Sequence, residues 1–104
     1  MASGVFTCKV CSKHNFQDIL FVEVVKSFVS LRQFQKVELR IGFKDESGRG
    51  LVPLKGNPLC GFDPGKNSDK FVLFKIASRV HGQFLTLQQF TDDALKINEI
   101  SVYV

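Results

Sequence analysis

The chain has 104 residues, 44% apolar and 23% charged, with 14 basic and 10 acidic side chains and a net charge of +4. That length fits one domain, residues 1–104, with a modest core, and the apolar share excludes a disordered chain. Charges interrupt every apolar run well short of the roughly 20 residues a membrane helix needs, and the basic residues form no stripe of the kind nucleic acid requires.

From the N-terminus, "MASGVFTCKVCSKH" holds no continuous apolar stretch, so no secretory signal is read there. Cys8, Cys11 and His14 stand at C-x2-C-x2-H spacing, half of a zinc site that Cys60 or His81 would complete. Ordinary reduced cysteines beside a strand are the plainer reading, because no second paired motif follows. Three cysteines are an odd number, which points to a reduced, intracellular chain or to one thiol left over. The next stretch, "DILFVEVVKSFVSLRQF", carries two patterns. Phe21, Val25 and Phe28 with Leu20, Val24 and Leu31 fit a helical stripe behind an Asp18 N-cap. Its β-branched and aromatic content favours strand, and strand is the expectation because all that follows reads as β.

"VELRIGF" alternates Val37, Leu39, Ile41 and Phe43 with Glu38, Arg40 and Gly42, a strand with one buried face. "KDESGRG" supplies turn chemistry. Residues 55–70, "KGNPLCGFDPGKNSDK", read as one long loop, a length that is uncommon without a function. "FVLFKI" and "QFLTLQQF" are strands joined near His81 and Gly82. In the closing strand Leu95 and Ile97 keep one parity while Ile100, Val102 and Val104 keep the other. A period of two cannot absorb that slip without an extra residue, so a β-bulge is expected at Asn98 and Glu99. "GRG" and "DPGKNS" lack the spacing of a phosphate loop. No nucleophile lies beside a base, and nothing in the pattern proposes an enzyme.

Taken in order, "VELRIG", a glycine-rich gap, "GNPLCG", "HGQFLTL" and "ALKINEISVYV" resemble the latter part of an F-type (fucose-binding) lectin domain, over residues 19–104. That family is a branch of the discoidin-like, galactose-binding β-sandwiches. The resemblance implies an all-β, antiparallel, jelly-roll-like sandwich, a terminal sugar bound in loops at one end, and an extracellular setting. It also implies a calcium ion held in part by the glutamate of the last strand and the carbonyl before it, here Glu99 and Asn98. The family's sugar site uses an upstream histidine and an R-x-D-x4-R/K run. Counting back from Val37 puts the basic positions on Lys26 and Gln33 and the acid on Phe28, with Arg32 one place away; the histidine would precede residue 1. Lys26 and Arg32 are therefore the expected sugar donors, with loop 55–70 shaping the mouth. The family's cysteines near residues 74–76 and at position 98 are absent. Only five or six strands are expected where the family has about eight, with the deficit on the N-terminal side. A shortened sandwich exposes sheet edge and core face, so a homodimer is expected. The alternative is a β domain that has lost sugar binding and serves as a protein-interaction or assembly unit.

Overall fold

The alternation in "VELRIG" sets the architecture. Val37, Leu39 and Ile41 are essentially inaccessible, so one face of this strand must lie against a second layer. The computed structural model describes residues 4–9, 18–48, 52–65, 68–77 and 79–104. They form seven strands: β1 (Gly4–Lys9), β2 (Phe21–Lys26), β3 (Val37–Gly42), β4 (Leu59–Asp63), β5 (Phe71–Lys75), β6 (Phe84–Gln89) and β7 (Ile97–Tyr103). A four-stranded sheet in the order β1-β6-β3-β4 packs on a three-stranded sheet in the order β5-β2-β7. Every pairing is antiparallel. The chain is an all-β sandwich, as expected.

The core between the sheets takes Val22 and Val24 from β2, Leu39 and Ile41 from β3, Phe74 from β5, and Leu85 and Leu87 from β6. Burying each such side chain contributes roughly 1.5–3 kcal/mol, which explains why the period-two residues dominate the pattern. The radius of gyration, 12.8 Å, equals the value of about 13 Å expected for a compact body of this length. The expected N-terminal deficit is thus corrected. The first third of the chain supplies β1, which pairs along β6, and β2, the centre of the smaller sheet.

Two further expectations change. Strand continues only to Lys26; residues Phe28–Gln33 form a 3-10 helix. Here the chain must cross from the three-stranded sheet to β3 in the other sheet, and a ladder cannot span two layers. Phe34 plugs the core at this crossing while Phe28 and Val29 lie exposed. Gly65 packs under it with φ +76°, where a side chain would strike the Phe34 carbonyl, so glycine is required. The long loop at 55–70 is also interrupted, because Leu59–Asp63 pairs with β3 as an edge strand. Its flanking prolines, Pro58 and Pro64, fall just outside the ladder, where a missing N–H costs nothing.

Residues 52–54 lie against the outer face of the four-stranded sheet. Leu54 is 1% exposed, and buried Gln88 of β6 holds this loop by two bonds. The Leu54 N–H donates to Gln88 Oε1 (2.9 Å) and Gln88 Nε2 donates to the Val52 carbonyl (2.7 Å). The outer face of the three-stranded sheet carries no such cover among the described residues. Phe71, Leu73 and Tyr103 there are 58%, 55% and 47% exposed.

Candidate functional site

Two bulges mark opposite ends of the sandwich. In β7, Val25 pairs with Glu99 and Lys26 with Ile97, so Asn98 is the extra residue. The slip in the closing strand is a bulge where the sequence places it. In β4, Leu39 pairs with Gly61 and Arg40 with Leu59, which makes Cys60 the extra residue of a second bulge. Bulges re-aim side chains and gather near sites.

At the Asn98 end the register brings Lys26 and Asn98 to neighbouring strands, with Arg32 in the last turn of the adjoining 3-10 helix. Lys26, the expected sugar donor, is fully buried. Its ammonium donates to the Leu31 carbonyl at 3.1 Å and sits 5.4 Å from the centre of the Phe34 ring. Burial pushes its pKa below the usual lysine range, and the Asp63 and Asp69 carboxylates pull it partly back. A donor so enclosed holds the crossing together and meets no ligand from solvent. Arg32, Asn98 and Glu99 are exposed. The expected calcium ion would need ligands beyond these two residues. Asn98 and Glu99 offer at most five oxygens, counting both main-chain carbonyls, where calcium takes six to eight, and no group of three or more His, Cys, Asp or Glu side chains that could hold a metal occurs among the described residues.

The zinc motif lies only partly within the described residues. Cys11 and His14 lie outside the described residues. Cys8 and Cys60 lie on the two edge strands of one sheet, three strand spacings or roughly 14 Å apart, so one ion with Zn–S bonds of about 2.3 Å cannot take both.

The Cys60 end holds a cleft of about 580 Å³, open between the end of β3, residues 43–44 and 56–58, the start of β4, and residues 76–77 and 79–81. That volume lies in the range of small-ligand sites. Its floor is apolar, with Ile41, Ile76 and Val80. Asn57 stiffens one wall. Buried itself, it accepts from the Lys44 N–H (3.1 Å) and donates to the Lys44 carbonyl (2.9 Å), pairing with that residue as a strand would. Arg40 Nη1 donates to the Asn57 carbonyl at 2.9 Å and Nη2 to Glu38 Oε1 at 3.3 Å. Gly42 is required beneath, because a side chain there would collide with the Asn57 amide.

The rim is basic and aromatic. Lys44, Arg79 and His81 are exposed around the mouth. The Phe43 ring stands edge-on to His81, with centroids 5.7 Å apart and planes at 74°. Asp18 reaches Arg79 Nε at 3.8 Å and His81 Nδ1 at 3.9 Å, contacts long and wet enough to orient the rim more than to neutralise it. Inside, Cys60 Sγ donates weakly to the Pro58 carbonyl at 3.4 Å. Burial raises the Cys60 pKa, outweighing the Ile41 N–H and the Arg40 charge. A thiol kept protonated at neutral pH suits packing and not nucleophilic attack.

Neither Lys26 nor Arg32 belongs to this cleft. The rim was hidden in the sequence because Phe43, Lys44, Arg79 and His81 sit on two loops about 35 residues apart, joined only by the approach of β3 to the β5–β6 connection. No family model matches the chain, and neither does any curated protein or solved structure.

Proposed function

We propose that the chain is a non-enzymatic carbohydrate-binding module that takes acidic saccharides in the Cys60 cleft. The observation that carries this reading is the rim: an exposed aromatic ring beside two exposed cations and a histidine, over an apolar floor. Sugar rings present apolar C–H faces that stack on aromatic rings, and their hydroxyls and carboxylates accept from Arg and Lys. Arg79 supplies the planar fork that suits a carboxylate, and Lys44 a movable point charge. The resemblance to F-type lectin domains supports the ligand class, while the geometry favours this cleft over the Lys26 end.

Titration with uronate, sialylated and sulfated oligosaccharides beside neutral fucose and galactose tests it. Acidic sugars should bind with a Kd on the order of 1 mM, weakened about tenfold by Arg79→Ala, with neutral sugars weaker still. Bound sugar should also protect Cys60 from alkylation while leaving Cys8, on the far edge strand, unprotected. Flat titrations across both sugar classes would remove the reading. The second reading, an assembly or interaction domain, is favoured by one observation, the bare outer face of the three-stranded sheet.

A further inference from the structure

The outer face of the three-stranded sheet differs from that of its partner sheet among the described residues. The register sets its residues in three rows: Phe71 beside Val25 and Glu99, then Leu73 beside Glu23, then Lys75 in the row of Tyr103. Period two alone would predict polar residues here, since the opposite face of each strand already fills the core. Instead β5 presents Phe71 and Leu73 to solvent. Their counterparts on β6 of the other sheet, Thr86 and Gln88, are buried, and Gln88 is bonded to residues 52–54.

We propose that this face pairs with a second copy of the chain in a weak two-fold dimer. The charges select the partner. Lys75 and Glu99 occupy diagonally opposite corners, one on each edge strand. A two-fold axis lying in the interface along the other diagonal, from Phe71 to Tyr103, sets Lys75 of each copy over Glu99 of the other. The same operation stacks Phe71 on Phe71 and Tyr103 on Tyr103, and lays Leu73 against Val25. It crosses the strands at roughly 70°, since rows lie about 6.7 Å apart and strands about 4.8 Å apart, nearer the orthogonal than the aligned way in which sheets pack. An isologous contact needs such self-complementarity, and a face with a cation and an anion at exchanged corners has it.

Area sets the strength. With about 150–250 Å² on each aromatic side chain and about half of it exposed here, the face offers on the order of 500 Å² per copy. A standard interface buries about 800 Å² per partner, so the dimer should be weak, with a Kd on the order of 10–100 μM. One feature opposes it: Glu23 of each copy meets Glu23 of the other at the centre. Like charges directly opposed are unfavourable, which keeps the association reversible.

Sedimentation equilibrium from about 10 to 500 μM decides the matter, with circular dichroism to verify each fold. The wild type should self-associate across this range, and Phe71→Arg should stay monomeric. Lys75→Glu should weaken the dimer at least tenfold, and adding Glu99→Lys should restore it, because the swap rebuilds both pairs. Glu23→Gln should tighten it several-fold. A wild-type monomer at 500 μM would overturn the proposal. So would a charge swap that fails to restore association, which would mean that a different protein, or no partner, covers this face. Neither outcome bears on sugar binding, since no residue changed here lines the cleft.

Discussion

The two sheets share one core and differ on their outer faces. Behind β3 and β6 the outward residues include Glu38, Arg40, Thr86 and Gln88, and residues 52–54 are bonded down over this face by Gln88. Behind β2 and β5 the outward residues include Phe21, Val25, Leu73 and Phe71, and no described segment crosses them. The polar face is covered and the apolar face is bare, the reverse of what hydropathy alone would arrange. A loop rich in turn residues can be held by hydrogen bonds to a polar face. An apolar face waits for something that brings its own apolar surface.

The difference is open to direct attack. Leu54→Ala, on the covered face, should destabilise by about 2–5 kcal/mol, as for a buried leucine anywhere. Leu73→Ala, on the bare face, should stay within about 0.5 kcal/mol in dilute solution. Chemical denaturation at low micromolar concentration measures both, and equal losses would mean that both faces are covered. Gln88→Leu should cost about 2 kcal/mol, since it strands the Leu54 N–H and the Val52 carbonyl. The amide of Leu54 should then exchange much faster with solvent, while the β2 amides keep their protection.

The smaller sheet has its own buried polar group, and pH reaches it. Lys26 has a folded-state pKa below its unfolded value of about 10.5. Between the two values the unfolded chain holds the extra proton, so stability rises with pH across that window. Below it, the full cost of burying the charge remains. The melting temperature of wild type relative to Lys26→Met should therefore climb as pH approaches 10.5. Parallel curves for the two proteins would place the Lys26 ammonium in contact with water.

The thiols give a smaller signal. Burial raises the pKa of Cys8 and of Cys60, so both should alkylate slowly at pH 7.5 and accelerate above pH 9, read peptide by peptide by mass spectrometry. The smallest expected effect is that of calcium. With so few oxygens at the Asn98 bulge, millimolar calcium should move the melting temperature by less than about 1 °C. A larger shift that disappears in Glu99→Gln would mean that further ligands gather there.

Much of this molecule can be read along the chain. Val37, Leu39 and Ile41 announce β3 because burial on one face imposes a period of two. The same rule exposes the Asn98 bulge, since an inserted residue flips every later side chain and leaves a visible change of parity. The Cys60 bulge leaves no such mark. Its strand, "LCGFD", is short, lies at an edge and is half exposed, so no alternation exists to be broken. Lys26 reads as a surface donor because charge is normally solvated, and the Leu31 carbonyl, the Phe34 ring and the Asp63 and Asp69 carboxylates help make its burial tolerable. Of the adjacent glutamines, Gln88 clamps a loop on the outer face. Gln89 turns inward to accept from the Gln35 N–H and donate to the Asp93 carbonyl. Periodicity is a local property of strands and survives in one dimension. The cleft, the clamps and the uncovered face depend on which distant segments meet, and that was decided only when the sheets closed on each other.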